Sequence, residues 1–226
     1  MNNKHVCTAL IAMGAMSCSA MADLISYNAL VPLQSTNFTT SLSVPKFDPA
    51  LGTLDQVDFI LSGHVEGEAK FESLDAEAAT VEMELGASIT IQRPDTTTLI
   101  VSLPSALTSD LVSAFDGTID FGGTSGKTYP MLSADDIEMT STSAAPDLAL
   151  FTGLGNIDLP VEALGESTGS GAGNLLLVFM TLAAADFTVE YTFTPIPEPA
   201  TAALALLGGF GLFGRCRKRR FAQWVE

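Results

Sequence analysis

The sequence predicts an all-β fold: a single sandwich of roughly eight to ten strands, jelly-roll-like or immunoglobulin-like. Three observations carry that reading. Apolar and polar residues alternate at period two over much of residues 56–194, as in strands with one face buried. β-Branched Thr and Val are abundant, and Gly and Pro fall at turn spacing between the alternating runs. Helical periodicity is weak across the same region.

The elements follow in order. Lys4 and His5 form a short basic start, Val6 to Ala15 is apolar, and Ala20-Met21-Ala22 is an A-x-A site. Residues 1–22 therefore read as a secretory signal peptide cut before Asp23. No twin Arg is present, so the route is general secretion. Cys18 lacks the upstream Leu of a lipidated cysteine. Beyond the cut, Gln56 to Leu61 is a strand and Val65 to Glu72 alternates loosely. Ala79 to Gln92 alternates well, with Val81, Met83, Leu85, Ile89 and Ile91 on one face and Gly86 at a bulge or bend. Leu99 to Leu103, Ser113 to Phe121 and Ile137 to Thr140 are further strands. Ser73 to Ala79 and Ser105 to Ala114 read as short turns of helix. Ser167 to Gly173 reads as a long hairpin loop. Two strong strands follow it: Leu175 to Leu182, nearly all apolar, and Phe187 to Thr194, which alternates.

Charge and cysteine usage bound the function. Residues 23–194 hold four bases (Lys46, Lys70, Arg93, Lys127) and 24 of the 26 acids, a net charge of −20. That excludes nucleic-acid binding through phosphate neutralisation and opposes adsorption to anionic lipid. It suits an exported domain, a divalent-cation environment or a cationic partner. Cys7, Cys18 and Cys216 all lie outside this body, which therefore uses neither disulfides nor thiolate metal sites.

Catalytic chemistry finds little support. His64 is the one histidine of the body, at an expected strand end, and lacks the partners of a triad or a zinc site. Glu66 and Glu68 share one side of a strand and read as a solvated face rather than a glycosidase pair. Gly122 to Thr128 ends like a phosphate loop, but Asp120 occupies the position of its first Gly. Calcium is the one candidate cofactor. Asp116 and Asp120, and Asp135 and Asp136 with Glu138, place carboxylates in expected turns, although neither stretch has the EF-hand pattern. No catalytic or cofactor-binding residue is assigned, and no enzymatic activity is expected.

The tail has three parts: Pro197-Glu198-Pro199, the uncharged stretch 200–214, and the basic run Arg215, Arg217, Lys218, Arg219 and Arg220 around Cys216. As a helix, residues 200–214 would span about 22 Å, short of the roughly 30 Å hydrocarbon core. The basic cluster would stay cytoplasmic and snorkel, which lengthens a short span. This tail resembles a PEP-CTERM sorting signal of Gram-negative bacteria. The resemblance implies removal by an exosortase, a membrane-embedded transpeptidase-like protease. Phe221 to Glu226 runs past the point where such signals usually end. The alternative is a permanent membrane anchor, leaving a tethered periplasmic domain.

The body, residues 23–194, is itself similar to the choice-of-anchor E domain. The matching stretches are Pro45 to Leu54 with Val57, Asp147-Leu148, Phe151 to Gly153, Leu159 to Val161, Gly171 to Leu175 and Val189 to Phe193. In physical terms, Phe47 is a core anchor and Asp48-Pro49 shapes the turn into the next strand. Together the resemblances imply a non-enzymatic cell-surface or extracellular-matrix protein, associated with exopolysaccharide or biofilm. Its expected partners are the Sec machinery, the exosortase, matrix components and, at least transiently, the membrane through the helix at 200–214. Residues 195–226 form the sorting tail. A carbohydrate-binding module is the alternative, and it needs an exposed aromatic platform from Tyr27, Tyr129 or Tyr191.

Overall fold

Period-two alternation decides the architecture. In residues 57–65, Val57, Phe59, Leu61 and Val65 are buried while Asp58, Ser62 and His64 stand on the opposite face. The computed structural model describes residues 21–196. Their strands are β1 (Asp23–Ser35), β2 (Phe38–Pro45), β3 (Gly52–Ser73), β4 (Ala79–Gln92), β5 (Thr98–Ser102), β6 (Ser105–Val112), β7 (Gly126–Thr142), β8 (Asn156–Gly165), β9 (Thr168–Ser170) and β10 (Leu175–Pro195). One short helix, α1 (Ala145–Phe151), lies between β7 and β8.

The strands form two antiparallel sheets, as an all-β sandwich requires. One has the order β1-β10-β3-β7 and the other β2-β8-β4-β5, with β6 and β9 also pairing to β4. The core lies between the sheets. Val44, Phe59, Leu61, Leu85, Ile89, Ile91, Leu159, Phe187, Val189 and Tyr191 are among its buried members. A smaller cluster of Ala69, Phe71, Val81, Met83 and Val112 continues it. The last strand in sequence, β10, is central: it pairs with β1 from Asp23↔Phe193 and with β3 to Gly52↔Pro195.

Several sequence expectations are corrected. Ser105 to Ala114 is not helical. The segment pairs with β4 as β6, with Ala106, Thr108, Asp110 and Val112 on its inner face and Leu107 and Leu111 exposed. Ser73 to Ala79 holds no helix either; Ser73 ends β3 and a bend follows. Ser113 to Phe121 is loop rather than strand, since Asp116 and Gly117 turn the chain, with Gly117 at φ +97°. Ser167 to Gly173 is not a plain hairpin loop. It contains β9 and carries the chain from one sheet to the other. His64 lies inside β3, not at a strand end. Gly86 does mark a change in β4: residues up to Gly86 pair with β6, and residues from Ala87 pair with β8.

The signal segment through Ala20, the Pro197-Glu198-Pro199 motif, the apolar segment 200–214 and the basic cluster lie outside the described residues. Asp23, where the signal-peptide reading starts the mature chain, is the first residue of β1. Among the described residues, no helix is long and apolar enough to cross a membrane.

Candidate functional site

The end of the sandwich from which the chain leaves toward its tail is closely built. Phe47 fills it. Its ring packs on Phe193 at 5.0 Å and on Tyr191 at 6.0 Å, edge-on. The Tyr191 hydroxyl donates to the Pro45 carbonyl at 2.8 Å, and burial pushes this phenol's pKa well up. Asp48 shapes the turn as its sequence predicts, accepting from the Ala50 N–H at 2.9 Å. The loop 152–155 is tied on by two backbone bonds. Gly153 N–H donates to the Phe47 carbonyl, and Lys46 N–H donates to the Gly155 carbonyl, both at 2.9 Å. The chain is held through the end of the described residues: Pro195 is registered with Gly52, and Ile196 N–H donates to the Leu51 carbonyl at 3.2 Å. The described chain therefore stays bonded to the sheet up to residue 196.

The carboxylates proposed for calcium are dispersed. Asp116 and Asp120 lie in the loop before β7, and each is occupied by its own turn. Asp116 accepts from Thr118 N–H at 3.0 Å and Thr124 N–H at 3.2 Å, and Asp120 accepts from Gly122 N–H at 2.9 Å. Asp135, Asp136 and Glu138 are not in a turn, because they pair with β3 as part of β7. Alternation then splits them. Asp135 meets His64 on the outer face at 2.7 Å. Asp136 reaches the other sheet, accepting from the Ser102 hydroxyl at 2.9 Å and the Leu103 N–H at 2.7 Å. Among the described residues, no three His, Cys, Asp or Glu side chains are grouped to hold a metal ion.

Two polar clusters escaped the sequence reading. Glu72 is fully buried at the end of β3, where it accepts from the Ser125 hydroxyl at 2.6 Å and the Phe121 N–H at 2.7 Å. It fixes the loop between β6 and β7. Nothing in the sequence marks it: the burial of Phe71, Glu72 and Ser73 in succession is visible only in the structure. In the second cluster, Asp110 of β6 accepts from both Lys127 Nζ and the Tyr129 hydroxyl of β7. Burial opposes charge on Asp110, but these two donors together hold its carboxyl below the ordinary range. The same hydrogen bond raises the Lys127 pKa.

His64 is gripped from both sides. Nδ1 meets Asp135, and Nε2 meets Glu66 at 3.4 Å. The Asp135 hydrogen bond raises its pKa against the opposing effect of burial. Glu68 pairs with Lys70 at 2.8 Å, while Glu66 faces His64. A groove of about 550 Å³ on this outer face is lined by both glutamates with Met131, Met180 and Leu182, and by no aromatic ring. Tyr191 is buried, Tyr27 packs on it at 6.0 Å, and Tyr129 is committed to Asp110. None of the three tyrosines offers the flat exposed surface that sugar stacking needs.

None of the curated proteins matches the sequence. Likenesses among solved structures are distant. A structure of infectious bursal disease virus, Gx strain, is 15% identical over 86% of this chain and 47% of its own, at a TM-score of 0.19. The Desmodium yellow mottle tymovirus is 9% identical over 87% and 98%, at 0.17. The Acinetobacter baumannii phage AM24 tailspike protein is 10% identical over 79% and 27%, at 0.19. This chain spans about half the length of the first of these. The tail is the informative part. The PEP-CTERM protein-sorting motif matches residues 195–220, from the last residue of β10 through the basic cluster, and implies export and processing by an exosortase.

Proposed function

We propose that the protein is a non-enzymatic component of the cell surface or extracellular matrix, delivered there by exosortase processing of its tail. The sorting motif at residues 195–220 is the observation that carries this reading. The −20 body supports it: such a domain stays soluble after release and is repelled by anionic lipid. The resemblance to the choice-of-anchor E domain and the association with exopolysaccharide or biofilm belong to the same proposal. The reading does not rest on calcium: of its candidate carboxylates, Asp116 and Asp120 serve their own turns, Asp135 meets His64 and Asp136 meets Ser102. Sugar binding through tyrosines loses its platform for the reasons above.

The test is fractionation of the native host carrying Glu198→Ala. The wild-type protein is expected in the surface and matrix fractions. The variant is expected to accumulate uncut in the inner membrane. Equal delivery of both proteins would overturn the sorting reading. Release of the wild type to the medium, without retention on cells or matrix, would overturn the matrix role alone.

A further inference from the structure

We propose that the tail-side end of the sandwich rests on the phospholipid headgroup layer before the tail is cut, with Leu51, Leu154 and Ile196 as its lipid contacts. The proposal depends on the sorting reading, in which residues 200–214 span the membrane. Four residue steps separate Ile196 from Ala200, at most about 14 Å when fully extended. The headgroup layer is itself about 5–7 Å deep on each side. Since Ile196 is bonded to Leu51, the body has almost no tether on which to move away. The short span tightens it further. On that reading, 15 residues as a helix would span about 22 Å against about 30 Å of hydrocarbon, a mismatch that would thin the bilayer or draw the flanking residues into the interface.

The surface at this end suits lipid. Leu51 is 43% exposed, Ile196 59% and Leu154 82%. Leu154 is the tip of its loop, between Gly153 at φ +141° and Gly155 at φ +87°, and that loop is bonded to the 46–47 backbone beneath it. Exposed leucines on rigid loops gain free energy at an apolar boundary.

Charge opposes free adsorption of the body as a whole but acts weakly here. Lys46, one of the four bases of the body, stands beside Gly153. Asp48 is bonded within its own turn, and Asp55 accepts from the Thr194 hydroxyl at 2.7 Å. Asp23 remains on the outer strand as an opposing charge. Acids farther along the sandwich are screened beyond about 8–10 Å at physiological ionic strength. The tether supplies the proximity that the acidic body would otherwise refuse. Cutting the tail removes the tether, and the −20 body then leaves the surface. The dock therefore presents the Pro-Glu-Pro segment at the membrane only while it is uncut.

The test uses the chain after signal removal, residues 23–226, with its one tryptophan removed (Trp224→Phe), carrying either Leu154→Trp or Leu111→Trp. Leu111 is 80% exposed and lies opposite Thr80, at the far end of β4. Each chain is reconstituted in phosphatidylethanolamine vesicles with or without brominated acyl chains and floated on a density gradient. The expected result is flotation of both, with bromine quenching and a blue shift for Trp at 154 and neither for Trp at 111. Flotation without a difference between the two positions would overturn the dock and leave the anchor standing. Failure to float would overturn the anchor and the dock together.

Discussion

His64 and Glu72 show how single residues act here. The Asp135 contact raises the His64 pKa, so the folded protein holds the proton more tightly than the unfolded chain. Its stabilisation is therefore fully present below the ordinary imidazole value of 6.5 and is lost as pH rises through the folded value. Asp135 is largely exposed, so the effect is about 0.2–1 kcal/mol. Urea unfolding at pH 5.5 and pH 8 should show wild type exceeding His64→Gln at the lower pH and the two converging at the higher. Glu66 and Asp135 face this ring directly, and Asp186 lines the groove beside it. Glu72→Ala is a larger change, because it leaves the Ser125 hydroxyl and the Phe121 N–H without their acceptor inside the protein. A loss of about 2–3 kcal/mol is expected in the same assay. The sequence displayed His64 as a lone histidine but not its partner, because Asp135 is far away in the chain and only the β3–β7 register unites them.

At the scale of elements, alternation made the strong strands legible and left the weak ones hidden. β4 and the second half of β10 were readable because their buried positions are Val, Met, Leu, Ile, Phe and Tyr. β1 and β2 were not, since only Val31 of β1 and Leu42 and Val44 of β2 are apolar and fully buried. β6 was misread because its inward positions include Thr108 and Asp110, while Leu107 and Leu111 point out. Tertiary pairing with β4 overrides that pattern. The β3–β10 pair also depends on a feature no pattern displays. A Cβ at Gly67 would lie 1.9 Å from the Met180 carbonyl oxygen, part of the β10 backbone. Gly67→Ala should therefore cost about 2–3 kcal/mol through forced separation of the strands. The check is its unfolding midpoint beside that of Glu68→Ala, a surface change expected to stay within about 0.5 kcal/mol.

For the whole molecule, the termini of the body meet at one end. Asp23 pairs with Phe193, and Pro195 pairs with Gly52, so the expected start of the mature chain and the start of the sorting tail are strand neighbours. Because β10 lies between β1 and β3, the four-stranded sheet cannot be completed before residues 175–195 are available. The address at residues 195–220 was legible from sequence because it is local: a proline motif, an apolar stretch and a basic run in fixed order. That the sheet runs as far as Pro195 was not, since the pairing with Gly52 arises from register between segments far apart. Removal of the tail is read from the intact mass of the protein recovered from its native host, with its cell fraction recorded. The expected product is a chain from Asp23 to a terminus between about Thr194 and Ala200, recovered outside the inner membrane. A chain that still includes Arg215 to Glu226, recovered in the inner membrane, would contradict it.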